Sequence, residues 1–281
     1  MPVEIIGLVG SDDDAAYLYD KLNRVGAGTA QLQHTDLAST AFTDVITDSG
    51  SGRRTFFLHR GACDLLTPDH FALDQCHGRM LHLGLLGVHQ ILDNSCRYKG
   101  REYTNGWVAV LSEAQALGIH TNLELVSVSA QDIRRTALPC IEYLDSIIIN
   151  EYELGALADL PTVDDGGKPQ AELCVAAARA LIHNTGLPLL VVHYPDAAIA
   201  VMADNTTEYR EAFFLQSDQI AGTVGAGDAF AAGVLYGLHE NMSMADTLEL
   251  GHAVAAASLR SVSSVESVGS VDECLSFARG I

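Results

Sequence analysis

The chain has 281 residues and a formal charge of -20 at pH 7, from 16 basic and 36 acidic side chains. With 48% hydrophobic and 19% charged residues, the composition excludes disordered, collagen-like and coiled-coil classes. The acidic surplus disfavours nucleic acid and anionic membranes as partners, because it repels phosphate groups. A phosphate ligand would therefore be held by backbone N–H groups, a helix N-terminus or a bound cation.

Six cysteines are scattered along the chain without CxxC or metal-ligand spacing, which favours a reducing compartment over a disulfide or zinc framework. The first residues lack the basic segment of a secretory signal, and no apolar run approaches 18 residues. We expect a soluble cytoplasmic protein.

Strands and helices alternate along most of the sequence. The apolar spacing predicts strands at 3–9, 41–47, 53–59, 80–86, 119–126, 146–149, 187–193, 197–203 and 209–215. It predicts helices at 13–25, 107–117, 171–184, 227–239, 244–260 and 271–279. Residues 48–52 (DSGSG) would form a hairpin turn, and the pair 197–203 with 209–215 would be antiparallel. This alternation predicts an α/β protein with a mostly parallel sheet and helices on both faces. No linker divides the chain, so residues 1–281 are expected to form a single domain.

The most informative segment is residues 221–233 (AGTVGAGDAFAAG), in which small residues precede an acid at the start of a helix. Small residues let a ligand approach the backbone, and the first N–H groups of a helix have no partner within it. A Walker A loop would need a lysine here, and a dinucleotide fingerprint would need glycine at Phe230. The remaining interpretation is an anion-binding loop beside a carboxylate, which suits phosphoryl transfer to an alcohol. Asp228 is then either the general base or only a favourable charge at the positive end of the helix dipole. As a base it should be ionised at pH 7.

This segment resembles the C-terminal signature of the PfkB (ribokinase-like) carbohydrate kinase family, whose pattern is close to DTxGAGDxF. The resemblance implies a ribokinase-like αβα sandwich, with Asp228 as catalytic base and an anion hole at Gly225, Ala226 and Gly227. It also implies ATP and Mg²⁺, and a small sugar or polyol as acceptor.

Asn150 and Glu153 follow a predicted strand and are similar to the family's NxxE element. The resemblance implies that both bind the nucleotide and magnesium, with Glu153 acting on Mg²⁺ through water. The alternative is a helix cap with its capping-box partner. Further nucleotide contacts would come from Thr223, His193, His252 and Ala256.

Residues 50–55 (GSGRRT) with Arg60, Gly61 and Ala62 resemble the family's GxRT…GA stretch, which implies contacts with the acceptor.

Two departures from the family pattern stand out. Gly222 replaces the aspartate that begins the family signature, which bears on a monovalent cation. The family's first strand, lid and Gly-Gly segment precede the part that this sequence matches, so we expect an N-terminally truncated domain with an absent or incomplete lid. Whether the protein forms a homodimer is left open.

Three other features have simpler interpretations. Asp12 is expected to cap a helix rather than bind a dinucleotide, since a pyrophosphate would be repelled there. His82 and His89 flank a glycine-bearing apolar run without a third ligand at metal spacing, and are interpreted as packing histidines.

The sequence thus predicts an ATP-dependent phosphotransferase that acts on an alcohol group of a small sugar or related polyol. The alternatives are a nucleoside kinase of the same fold and a non-catalytic nucleotide-binding relative that has lost acceptor binding.

Overall fold

The computed structural model describes residues 1–48 and 54–280. The predicted turn at 48–52 and the start of the 50–55 stretch therefore fall almost wholly outside the described residues. Contacts divide the chain into two compact units. Unit 1 comprises Met1–Leu81 and Leu85–His120, and unit 2 comprises His82–Gly84 and Thr121–Ile281.

Unit 1 is built mainly of short strand pairs. Its elements are β1 (Glu4–Gly10), α1 (Asp13–Arg24), β2 (Gly28–Thr35), β3 (Phe42–Thr47), β4 (Arg54–His59), the ends of β5 (Met80–Leu86), β6 (Cys96–Tyr98), β7 (Arg101–Tyr103) and α2 (Gly106–Ala116). The middle of β5, His82–Gly84, belongs to unit 2. β1 and β2 pair in parallel, whereas β3 with β4 and β6 with β7 form antiparallel pairs. The two strands predicted for the hairpin are thus confirmed, and all six residues of β3 are exposed.

Helix α1 begins as the sequence indicates. The Asp12 side chain accepts a hydrogen bond from the Ala15 N–H, which satisfies one of the donors left free at the helix start. Asp13 and Asp14 lie in the first turn and Lys21 and Arg24 in the last, which complements the helix dipole at both ends. The capping interpretation of Asp12 is confirmed.

Unit 2 contains most of the large sheet. Its elements are β8 (His120–Leu125), α3 (Ala130–Ala137), β9 (Ser146–Asn150), α4 (Glu151–Ala158), α5 (Ala171–Thr185), β10 (Leu189–Tyr194), β11 (Ala197–Met202), β12 (Thr207–Glu211), α6 (Ala226–His239), α7 (Met244–Ser258) and α8 (Val271–Arg279). The strand order is β12-β11-β10-β9-β8-β5. β8, β9 and β10 run parallel, and β11 and β12 continue the sheet in antiparallel fashion. The predicted α/β architecture is confirmed.

Helices cover both faces of this sheet. Ile148 packs with Phe230 and Val234 of α6 in one apolar cluster. Ile147 and Ile149 point to the opposite face because side chains alternate along a strand, and both are fully buried. Helices α4 and α5 contact β9, β10 and β11. Central strands buried on both faces explain the continuous apolar runs in the sequence.

Helices α6 and α7 approach each other through glycine. A Cβ added at Gly233 of α6 would lie 2.8 Å from the Cα of Gly251 of α7, closer than real Cβ contacts. This crossing therefore needs glycine on both sides.

The strands β2, β6 and β7 and the helices α3 and α4 are not among the elements that the sequence pattern predicts. β2 (GTAQLQHT) is rich in polar residues and is identified by its pairing with β1. α3 has only eight residues and begins at a Ser129 cap, too short for a clear helical period. Among the described helices, none is long and apolar enough to span a membrane.

Candidate functional site

The candidate site in unit 2 lies where parallel strands end and α6 begins. In open α/β sheets, ligands bind outside the carboxyl ends of the strands. β8 contributes Glu124 near its carboxyl end, β9 ends at Asn150, and α6 carries Asp228 in its first turn. Charged and amide side chains thus gather at one end of an apolar sheet.

The loop before α6 has a geometry that only glycine adopts easily. Gly225 has φ 80° and ψ 5°, in the left-handed region, and no side chain caps the helix. A Cβ at Gly225 would lie 2.4 Å from the Cβ of Ser264, and one at Gly227 would lie 3.3 Å from Cε1 of His193. The first N–H groups of α6 are thus left without a side-chain cap, which suits an anion. This geometry fits the anion hole predicted at Gly225, Ala226 and Gly227.

Asp228 is the third residue of α6. Part of its side chain is exposed, but its carboxyl lies against the carboxyl of Glu124. Partial burial, followed by the charge and hydrogen bonding of Glu124, raises the pKa of Asp228 to about 6, against the opposing effect of His82. The helix terminus alone would lower this pKa, so desolvation and a like charge outweigh it. The ionised form still predominates at pH 7, as a base requires.

Glu124 and His82 belong to this site although the sequence interpretation did not include them. His82 Nε2 lies 3.3 Å from Glu124 Oε2, and His82 Nδ1 lies 2.8 Å from Asn122 Oδ1. Burial lowers the pKa of His82, but the hydrogen bonds and charge of Glu124 and Asn122 raise it more, so the net pKa is raised. His82 is therefore paired with a carboxylate, and its interpretation as a packing histidine is wrong. The one available signal was a charged residue near the end of the strand 119–126.

Asn150 and Glu153 form the capping box at the start of α4. The Asn150 side chain accepts from the Glu153 N–H at 2.9 Å, and Glu153 Oε2 accepts from the Asn150 N–H at 3.0 Å. Ser127, which the sequence interpretation also missed, donates to Glu153 Oε1 at 2.9 Å and accepts from Asn150 Nδ2 at 3.1 Å. The cap interpretation is thus satisfied by the observed bonds, and it leaves the Glu153 carboxyl buried behind the strand ends.

Glu153 is only 3% exposed. Burial raises its pKa to about 7, and hydrogen bonds from Asn150 and Ser127 limit the rise. A buried carboxyl of this kind would be stabilised in its charged form by a nearby cation. No group of three or more His, Cys, Asp or Glu side chains is arranged to hold a metal within residues 1–48 and 54–280. Carboxylate and amide oxygens such as those of Glu153 and Asn150 are ligands that Mg²⁺ accepts, and this ion usually keeps several waters.

The other predicted nucleotide residues are distributed as follows. The rings of His193 and His252 lie 4.9 Å and 5.1 Å from the ring of Phe230, which is two positions after Asp228. His252 Nε2 lies 3.2 Å from the Arg210 carbonyl oxygen. Ala256 is 4% exposed within α7, whereas Thr223 is exposed in the loop before α6. His193 thus lies beside Gly227, whereas His252 is linked to this region only through Phe230.

Arg60, Gly61 and Ala62 belong to unit 1, at the start of a short 3₁₀ helix (Gly61–Leu65). Gly61 has φ 45°, and a Cβ there would lie 2.2 Å from the Ser39 carbonyl oxygen. That same oxygen accepts from the Ala62 N–H at 2.7 Å. Arg60 forms an ion pair with Asp64 at 3.2 Å. The backbone of this segment is thus held by Ser39, and the Arg60 guanidinium is held by Asp64.

Comparison with known proteins places the chain in a family. Residues 1–269 match the pfkB family carbohydrate kinases, so this chain belongs to the pfkB family. The predicted family is confirmed.

Two curated relatives are adenosine kinases. The Schizophyllum commune protein is 28% identical over 195 residues, which is 64% of this chain and 55% of that protein. The Saccharomyces cerevisiae protein is 23% identical over 266 residues, covering 92% of this chain and 72% of that protein. The chain thus matches little more than half of the first relative's length.

A solved structure of 2-dehydro-3-deoxygluconokinase from Thermotoga maritima has a similar fold. It aligns with a TM-score of 0.78 at 14% identity, covering 99% of this chain and 85% of that one. At this identity the likeness concerns the fold alone, which is ribokinase-like.

Proposed function

We propose that this protein transfers the γ-phosphoryl group of ATP to an alcohol group of a small sugar or related polyol. The observation that carries this proposal is Asp228, a carboxylate in the first turn of α6 directly behind the glycine loop. Membership of the pfkB family supports a kinase. The sugar or polyol class of the acceptor is the finer part of the proposal.

In this reaction the acceptor hydroxyl oxygen bonds to the γ-phosphorus, and the bond from that phosphorus to the β–γ bridging oxygen breaks. ADP leaves with the electron pair, and the hydroxyl proton passes to Asp228. The N–H groups at Gly225, Ala226 and Gly227 stabilise the negative charge on the transferred group. Because basic side chains are scarce, backbone dipoles provide much of this stabilisation.

Asn150 and Glu153 would hold Mg²⁺ with the nucleotide phosphates, Glu153 acting through water. A bound Mg²⁺ would neutralise charge on the phosphates. Its attraction would keep the Glu153 carboxyl ionised despite burial. We assign further contacts with the nucleotide to Thr223, His193, His252 and Ala256.

Arg60, Gly61 and Ala62 are proposed to contact the acceptor. In unit 1, Asp64 holds the Arg60 guanidinium and Ser39 holds the backbone of Ala62. Such a fixed guanidinium suits hydrogen bonding to hydroxyl groups.

A nucleoside is the second candidate acceptor. It is favoured by the two curated relatives, both adenosine kinases, one of which aligns over 92% of this chain. A nucleoside presents a ribose hydroxyl, so the same base and anion loop would serve it.

The test is ADP release from ATP and Mg²⁺ with a panel of sugars, polyols and nucleosides, combined with calorimetric binding of ATP. Turnover on a sugar or polyol supports the proposal, and turnover confined to nucleosides replaces the acceptor class with the second candidate. Asp228→Asn should then lower kcat by about 10²–10⁴-fold while ATP affinity changes little. Near-normal turnover in that variant refutes the role of Asp228. ATP binding without turnover on any acceptor would identify a non-catalytic relative.

A further inference from the structure

We propose that Glu124 and His82 form a positioning pair for Asp228, in which Glu124 holds the Asp228 carboxyl and His82 holds Glu124. The proposal rests on the function proposed above, because it gives Asp228 the part of base.

The pair is anchored by a chain of directional hydrogen bonds. Asn122 Nδ2 donates to Ser146 Oγ at 2.8 Å, which turns Asn122 Oδ1 toward His82. His82 Nδ1–H therefore donates to Asn122, and Nε2 is left to face Glu124 at 3.3 Å. Asn122 and Ser146 are completely buried. The imidazole is thus fixed in orientation from behind before it meets the carboxylate.

Glu124 in turn contacts Asp228. Its side chain is 16% exposed, compared with 35% for His82. Two carboxylates in contact and partly out of water repel each other, whereas they form a hydrogen bond when one carries a proton. When Asp228 takes up a proton from an acceptor, that proton can therefore be shared with Glu124. The contact fixes where the base points and favours its protonated product.

Charged and titratable groups interact with this pair from four of the described elements. β5 contributes His82, α4 contributes Glu153, β10 contributes His193 and α6 contributes Asp228 itself. Glu124 raises the proton affinity of Asp228, whereas His82 lowers it. The two members of the pair therefore act on the base with opposite sign.

This opposition gives a sharp test. Activity requires ionised Asp228, so it is lost as pH falls through the pKa of that group. In Glu124→Gln the acid limb of the kcat/KM profile should move to lower pH by about 1 unit, since a like charge has been removed. In His82→Gln it should move to higher pH. A merely structural role would not shift the limb in opposite directions.

A matched control distinguishes the specific effect of Glu124 from the effect of removing any glutamate charge. Glu113→Gln removes a glutamate that is 18% exposed and accepts from Lys99 Nζ at 2.6 Å, and it should leave the limb in place. Thermal unfolding of each variant shows whether it folds. If Glu124→Gln does not fold, the proposal is tested with His82→Gln, because the His82 side chain is more exposed.

A second readout is independent of turnover. NMR titration of the His82 ring in the ligand-free chain should give a lower pKa in Glu124→Gln and in Asp228→Asn than in the wild type. An unchanged His82 titration in Glu124→Gln, or limbs that do not move in either variant while the wild type is active, overturns the positioning pair. If the His82 pKa falls in these variants but the wild type turns over no acceptor, the proposed function is refuted and the contact between these side chains is supported.

Discussion

Gly225 packs so closely on Ser264 that a Cβ at position 225 would lie 2.4 Å from the Ser264 Cβ. The two residues are far apart in sequence, yet Ser264 directly supports the loop that precedes α6. The backbone of this loop is therefore constrained twice, by its left-handed φ and by its neighbour.

Gly225→Ala should be more damaging than an ordinary glycine substitution. Its left-handed φ costs about 1–2 kcal/mol, and the contact with Ser264 adds an overpacking cost of about 1–3 kcal/mol. Gly186→Ala is the matched control, because Gly186 has φ 75° with open space around its missing Cβ. Urea unfolding should show about 1–2 kcal/mol lost for Gly186→Ala and clearly more for Gly225→Ala. Equal losses would contradict the contact with Ser264.

Asp228→Asn should stabilise the protein while it removes the base. The folded-state pKa of Asp228 is raised to about 6 from 3.8. Its contribution is therefore most favourable below the unfolded pKa and is lost as pH rises through about 6. The melting temperature of the variant should exceed that of the wild type at pH 7 to 8, and the difference should vanish near pH 4.

Asp164→Asn is the opposite control for this prediction. Hydrogen bonds from the backbone of Lys168 lower the pKa of Asp164, so its charge is favourable in the folded state. That variant should gain no stability at pH 7. A wild type as stable as Asp228→Asn throughout this pH range would show that the carboxyl pair carries no strain.

The rings around Phe230 should make the fold sensitive to acid. Burial lowers the pKa of His193 and of His252 to about 4. Because both bind protons more readily when unfolded, stability should fall as pH drops from about 6.5 toward 4. His252→Gln keeps a donor toward the Arg210 carbonyl oxygen but removes one of the two groups that take up a proton on unfolding. The free energy of unfolding of this variant should therefore fall less steeply with decreasing pH.

The measurement is urea unfolding at a series of pH values, read as the slope over this interval. His239→Gln, outside the ring cluster and paired with Glu240, serves as the control. If the slope of His252→Gln equals that of the wild type, the ring of His252 does not contribute to the acid sensitivity.

Local patterns predicted most of the fold and the centre of the site. The glycine loop and Asp228 are contiguous in sequence, so their chemistry could be interpreted without knowing the strand order. Glu124 and His82 could not be placed in this way. They meet only because β5 and β8 are neighbours in the sheet, and pairing between strands 40 residues apart leaves no local signal. The raised pKa of Asp228 does not follow from the local helix dipole, because it comes first from burial and then from the Glu124 carboxyl.

The glycine crossing of α6 and α7 has a consequence for motion. With Gly233 and Gly251 in backbone contact, α6 has no space to rotate about α7 or to move toward it without collision. Asp228 lies in the first turn of the same helix, so its position depends on this contact between α6 and α7. The proposed base thus lies on a helix that has no room to close further on its neighbour.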